Sequence, residues 1–179
     1  MDKRFFSNPT ESVAKDLLGC TIAMDGLKGR IVETEAYLED DLASHAHGGR
    51  TERNRIMYEE YGYVYIYLCY GIHNMLNFTT EKDNAGAVLI RALEPLEGLE
   101  EMRDNRGVED EKDLCNGPGK LCEAFGIDKE MNETVVGEEI RVEEGESGEV
   151  EISTRVGISE AKDRELRFYE KDNRYVSER

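Results

Sequence analysis

The chain has 179 residues and a formal net charge of −17, with 40 acidic side chains against 23 basic ones. That length predicts a single domain, 1–179, able to bury about two-thirds of its unfolded surface, and that charge argues against a surface broadly attractive to phosphate. The opening MDKRFFSNPTESV lacks the apolar core of a signal peptide and no stretch reads as a bilayer span, so a cytoplasmic chain without a membrane partner is expected.

The acidity is concentrated in the second half of the chain. Cys20, Cys69, Cys115 and Cys122 share no CxxC spacing and have no histidine at zinc-ligand spacing, so reduced thiols and no metal are expected. Asn8-Pro9 followed by TESVAKDLLG predicts a helix with Asn8 as N-cap, Pro9 in the first turn and Gly19 as its stop. Cys20–Met24 and Gly29–Tyr37 read as strands joined through the hairpin signal Asp25-Gly26.

Within RIVETEAY, strict alternation places Ile31, Glu33, Glu35 and Tyr37 on one face and Val32, Thr34 and Ala36 on the other. A carboxylate beside a tyrosine inside a strand is not what a solvated edge needs. Each glutamate taken alone still reads as an exposed, ion-paired side chain, and the residues by themselves do not separate Glu33 from Glu35. The loop-like run 38–58 carries His45, His47, Gly48-Gly49 and a basic island of Arg50, Arg53 and Arg55 against only Glu52. Such an island can hold a polyanion if the rest of the acidic surface faces away.

The stretch from Tyr61 to Thr80 carries no charge. Tyr61, Tyr63, Tyr65 and Tyr67 alternate with Val64, Ile66 and Leu68, which predicts a strand with an aromatic face and an aliphatic core face. Tyr70, directly before Gly71, is placed to project from its end. A row of phenols suits a flat, stackable ligand such as a nucleobase; the alternative is a strand whose tyrosines only pack. AVLIRA, residues 87–92, reads as a buried strand interrupted by Arg91, a cation expected to meet a carboxylate or a polar site. Glu94-Pro95 is expected to open a helix over LEGLEEMRDNR, and a short helix to start near Pro118. The tail alternates as short strands near 139–142, 149–155 and 166–170. The sum is an α+β chain with mostly antiparallel strands.

Through RIVETEAY, SHAHGGRTERNR, YVYIYLCYG, NMLN, AVLIRALEPLEGLE and NGPGKLC, in that order over roughly residues 5–170, the chain resembles the alkyladenine (3-methyladenine) DNA glycosylases. The resemblance implies one compact α+β domain: a mixed, mostly antiparallel curved sheet, surrounding helices and a protruding DNA-intercalating β-hairpin. It implies a monomer with no cofactor and no metal, acting on duplex DNA that contains damaged purines. Glu35 matches the general base that activates water, and Arg91 the arginine beside it, a pairing expected to keep Glu35 ionised. Glu33 is the fallback for the base. Tyr37, His45, Tyr67 and Asn77 match the pocket for the flipped base, Asn77 as a filter against guanine. Tyr65 is pocket lining or plain packing. Tyr70 matches the residue that intercalates where the nucleotide has left.

Arg50, Arg53 and Arg55, the amides of Gly48 and Gly49, and Lys120 are implied contacts to the DNA backbone. The activity implied is removal of alkylated purines (3-methyladenine, 7-methylguanine) and of deaminated hypoxanthine, by water rather than a lysine nucleophile. The alternative is a protein that flips damaged bases without excising them. His73 stands where the family often has a tyrosine, and the turn before Arg53 lacks the family's proline.

Overall fold

The computed structural model describes residues 1–177; the last two residues of the expected 1–179 domain lie outside the described residues. Every strand pairing is antiparallel. Strands β1 (Thr21–Met24), β2 (Leu27–Tyr37), β3 (Val64–Cys69), β4 (His73–Thr80), β5 (Gly86–Glu97), β6 (Arg141–Glu143), β7 (Val150–Ser153) and β8 (Arg167–Glu170) form one sheet. The order β3-β4-β5-β2-β1-β6 branches at β2, whose second edge is shared between β1 and β8. The sheet curls, and helices α1 (Thr10–Asp16), α2 (Ile56–Glu59), α3 (Leu99–Arg106) and α4 (Pro118–Phe125) surround it, so a single compact α+β domain results. Among the described residues no helix is long and apolar enough to cross a membrane.

Period-two burial makes the core. Val64 and Ile66 of β3, Leu76 and Phe78 of β4, and Val88 and Ile90 of β5 point to one face, where Leu17 of the turn after α1 and Leu121 and Phe125 of α4 meet them. The tyrosines of β3 point to the other face, as the alternation predicts. Leu68 departs from it: near the hairpin end the strand runs beyond the helices, and Leu68 is half-buried, not core. The Asp25-Gly26 hairpin forms with both residues at positive φ, 47° and 85°, the backbone a two-residue turn requires.

Three local expectations are overturned by longer-range partners. Pro9, not Asn8, precedes α1 as its cap residue, and the orphan donors are met from afar by Glu81, whose Oε1 accepts from the Thr10 amide at 3.0 Å and its hydroxyl at 2.7 Å. Asn8 instead donates to the Phe5 carbonyl at 2.9 Å, closing the preceding 3-10 turn. Pro95 does not open a helix. It continues β5 opposite Gly29, beside a register irregularity where its missing N–H deprives the ladder of little, and α3 waits until after Gly98.

The third correction concerns the phase of β2. Ile31 pairs with Leu93, Glu33 with Ala92 and Thr34 with Ile90, so Val32 on β2 and Arg91 on β5 each lack a partner in the ladder. The extra residue on each strand is a β-bulge, and it resets the alternation. Ile31 therefore faces the main core while Val32 joins a separate cluster with Ala92, Tyr175 and Val176. Glu35 and Tyr37 do share a face, but Ile31 is not on it.

Gly19 and Gly26 have nearly equal positive φ, 82° and 85°, but a Cβ on Gly19 would lie 2.3 Å from the Glu146 backbone whereas Gly26 faces open space. Gly26→Ala should destabilise by about 1–2 kcal/mol, the left-handed backbone cost alone. Gly19→Ala should cost clearly more, and urea titration of the two variants measures the difference.

Candidate active site

Register alone gathers the site. Across the sheet Tyr65 pairs with Asn77, Asn77 with Leu89, Leu89 with Glu35, and Glu35 with Arg167. Directly paired residues share a face, so these side chains form one row on the concave side. Tyr37, Ala43, His45, Met57, Tyr65, Tyr67, Asn77 and Ala87 line a slot there with about 270 Å³ of empty space. All four residues expected to form a base pocket are in it, and Tyr65, ambiguous from sequence, both packs and lines it.

The aromatic wall is held by polar contacts. His45 Nδ1 lies 2.8 Å from the Tyr65 hydroxyl, and its ring meets Tyr67 edge-on with centroids 4.5 Å apart. Burial, with the nearby Arg53 charge, pushes the His45 imidazole down to about 4, so it is neutral at neutral pH. Burial likewise raises the phenols of Tyr37 and Tyr67 above their ordinary range, in Tyr37 with the neighbouring Glu35 adding to it, and both remain protonated. Asn77 donates to the carbonyls of Tyr65 and Met75, both at 3.1 Å, which fixes its amide at the buried floor.

Glu35 is fully buried behind Tyr37, a lining residue of this slot. Its Oε2 accepts from the Tyr37 hydroxyl at 2.8 Å; its Oε1 accepts from the Val156 amide at 2.8 Å and lies 3.2 Å from Arg91 Nη1. Burial raises the Glu35 carboxyl above the ordinary carboxylate range, and Arg91, the Val156 amide and the Tyr37 hydroxyl oppose that rise without cancelling it. The expectation that Arg91 would simply keep Glu35 ionised is corrected to that extent: the guanidinium acts in the expected direction, but desolvation outweighs it.

Sequence reasoning missed several supporting residues. Arg155 is fully buried, pairs with both carboxylate oxygens of Asp41, donates to the Ala36 carbonyl at 3.0 Å and lies 4.7 Å from the Tyr37 ring centroid. It fixes the back of the pocket tyrosine. Burial raises Asp41, yet the hydrogen bonds and charge of Arg155 outweigh that and hold the carboxyl below its ordinary range. Asn54, also buried, ties the loop around His45 by donating to the carbonyls of His45 at 2.6 Å and Gly49 at 3.0 Å. No pattern within a few residues marks either role, since the partners come from elsewhere in the fold.

The hairpin of β3 and β4 carries Tyr70 at its tip, 87% exposed with φ 51°, followed by Gly71 at φ 74°. The Ile72 amide closes the turn on the Cys69 carbonyl at 3.1 Å. A bulky residue at positive φ is strained, and here it stands outward with nothing packed on it.

The basic island is less free than its sequence suggests. Arg50 pairs with Glu59, and Arg55 meets Glu52 at 3.3 Å, Glu59 at 3.1 Å and Glu133 at still closer range. Arg53 lies over the Tyr67 ring, 5.6 Å from its centroid, at the mouth of the slot. Gly48 and Gly49 form an exposed turn in which the Gly49 amide already donates to Ala46. Lys120 sits in the first turn of α4 and donates to Asn116 at 2.7 Å, away from the slot-lining residues.

Comparison with known proteins gives these features a class, the DNA glycosylases. A family described as "Methylpurine-DNA glycosylase (MPG)" matches residues 4–174. Relatives bearing the name "Putative 3-methyladenine DNA glycosylase" are similar over nearly their whole length. One from Salinibacter ruber is 46% identical, with 97% of this chain and 94% of the relative covered. Others are from Methanoculleus marisnigri, 44% identical with 98% and 97% covered, and from Clostridium perfringens, 45% identical with 100% and 99% covered. The chain belongs to the methylpurine-DNA glycosylase family.

Arg155→Ala leaves Asp41 buried without its partner and should destabilise by about 3–5 kcal/mol in urea titration at neutral pH. Because the folded Asp41 titrates below its unfolded value, the wild type should keep this contribution above the ordinary aspartate range and lose it as pH falls through the lower folded value; the variant should show no such loss.

Proposed function

We propose that the chain is a monofunctional DNA glycosylase that hydrolyses the N-glycosidic bond of alkylated purines, 3-methyladenine and 7-methylguanine, and of hypoxanthine, in duplex DNA. It acts as a cytoplasmic monomer at the first step of base excision repair. The observation that carries this reading is Glu35, a buried carboxyl of raised pKa hydrogen-bonded to Tyr37 in the wall of an aromatic slot. The alternative, flipping without excision, gives no reason to bury such a group there.

The base must leave the duplex to enter the slot. Tyr70 on the hairpin tip fills the gap, offsetting part of the few kcal/mol of lost stacking and pairing. An N-alkylated purine is cationic, and the rings of Tyr37 and Tyr67 attract it by roughly 0.5–2 kcal/mol depending on desolvation. His45, neutral, adds no opposing charge. The fixed Asn77 amide at the floor disfavours the 2-amino group of neutral guanine, which supports its role as a filter; 7-methylguanine carries the same amino group but offsets that penalty with its cationic ring.

Water then adds to the anomeric carbon from the face opposite the departing base, through an oxocarbenium-like sugar. Of the about four lone-pair directions on a carboxylate, the Tyr37 hydroxyl takes one on Oε2 and the Val156 amide one on Oε1, where Arg91 also stands at 3.2 Å, so a direction on Oε2 remains for the water. Glu35 accepts the water's proton as the C–O bond forms and the C–N bond breaks, and its charge stabilises the sugar cation. No lysine lines the slot, which supports water as the nucleophile.

Glu35→Gln should lower single-turnover release of 7-methylguanine by about 10²–10⁴-fold while leaving binding to the methylated duplex in place. A wild-type rate in this variant sinks the proposal, and free base detected by chromatography from the wild-type reaction dismisses the binding-only alternative. Since the base form of Glu35 fills only as pH rises, the wild-type rate should climb through an acid limb lying above the ordinary carboxylate range. Arg91→Met, which removes a charge favouring ionisation, should move that limb higher still.

Glu59 pairs with Arg50 and is one of three carboxylates around Arg55. Glu59→Gln should therefore bind duplex DNA severalfold tighter and steepen the fall of log K with log salt by up to about 0.9 for each additional phosphate engaged. An unchanged slope in fluorescence anisotropy would remove Arg50, whose partner is Glu59, from the interface.

A further inference from the structure

The proposed hydrolysis leaves a second buried carboxyl group without a task. Glu33 is fully buried two residues before Glu35 and shares Arg91 with it: Arg91 Nε lies 3.3 Å from Glu33 Oε1, and Nη1 lies 3.2 Å from Glu35 Oε1. Arg167 Nη1 donates to Glu33 Oε1 at 2.9 Å, and the Ser177 amide donates to Glu33 Oε2 at 2.8 Å. The Ser177 hydroxyl in turn accepts from Arg91 Nη2 at 3.3 Å. Tyr175 and Val176 seat this C-terminal segment on Val32 and Ala92, beside the two bulged positions.

Arg91 needs such restraint. It lies outside the strand ladder at a bulge, and a guanidinium left to itself pairs with a carboxylate through two parallel N–H groups. Two-point pairing with Glu35 would engage Oε2 as well as Oε1 and close the lone pair that the hydrolytic water requires. Instead Glu33 draws Nε by charge at 3.3 Å without a hydrogen bond, and the Ser177 hydroxyl takes Nη2, so that only Nη1 stands beside Glu35.

We propose that Glu33, backed by Arg167 and by Ser177 of the C-terminal segment, is a positioning residue that holds Arg91 in a one-point contact with Glu35 and so keeps Glu35 open to water. This rests on the reading of Glu35 as the general base. It gives the final turn of the chain, far in sequence from every pocket residue, a direct hand in the reaction.

The groups facing Glu35 are Glu33 and Tyr37 on β2, Arg91 on β5, Tyr67 on β3, Arg167 on β8, and Arg155 after β7. Replacing Glu33 by glutamine removes a like charge from this set and leaves Arg91 to act on Glu35 alone, so Glu35 should ionise more easily. The test is single-turnover excision of 7-methylguanine by full-length Glu33→Gln across the pH range, with wild type and Glu35→Gln run beside it. The expected result is an acid limb moved to lower pH, a plateau rate lower by at least about tenfold and an unchanged half-saturating enzyme concentration.

A plateau rate and limb equal to wild type, or a lowered melting temperature with the rate per folded molecule unchanged, overturns the proposal. Should Glu33→Gln fail to fold, Ser177→Ala decides: a severalfold loss of plateau rate at unchanged half-saturation supports the proposal, and a wild-type rate overturns it. Activity surviving in Glu35→Gln defeats the general-base reading itself. An inactive Glu35→Gln beside a fully active Glu33→Gln defeats only the role of Glu33.

Discussion

Two carboxyl groups and two guanidinium groups, Glu33, Glu35, Arg91 and Arg167, lie buried together where β2 meets β5 and β8. Taking such ions out of water costs several kcal/mol each, and a well-packed apolar cluster of similar volume would usually be as stable or more so. The architecture around them reads as the set of conditions that make this burial tolerable. The paired bulges turn Val32 and Arg91 out of the ladder, the branch at β2 brings Arg167 alongside, and Val156 and Ser177 contribute backbone amides. Every lone pair left empty inside such a cluster is a liability for stability, which makes the open direction on Glu35 Oε2 the more telling.

The pocket inherits its rigidity from the same region. Tyr37 spans both, donating to Glu35 on one side and resting against Arg155 on the other. Arg155 is in turn fixed by Asp41 and by the Ala36 carbonyl, so the loop after β2, the turn after β7 and the central strand are tied at one point. A slot for a flat ring needs walls that do not collapse when empty, and hydrogen-bonded aromatics on a sheet provide them. The result is a division between strands: β3 and β4 present the rings and the outward Tyr70, and β2 and β5 hold the buried carboxyl groups and Arg91.

The electrostatic setting is unusual for a chain whose family acts on DNA. With a net charge of −17, long-range attraction to phosphate is weak, and Arg50 and Arg55 already have carboxylate partners. Phosphate contact by these two requires exchange of one anionic partner for another.

Much of this was legible in the order of residues. Alternation of tyrosine with aliphatics announced the two faces of β3, Asp25-Gly26 its hairpin and Pro118 its helix, because each is decided by neighbours within a few positions. Arg91 inside an apolar run announced a buried partner, and the ordered motifs named the family. What the order of residues left undecided was whatever depended on distant groups. Glu81 caps α1 from across the chain, Pro95 extends a strand because Gly29 lies opposite, and Glu133 neutralises Arg55. Strict alternation also put Ile31 on the face of Glu35, since a bulge is invisible to a period of two. Which glutamate takes the pocket tyrosine's hydroxyl and which one takes Arg167 was decided only by the tertiary structure, because both are identical in type, two apart on one strand, and differ solely in what the rest of the fold brings to them.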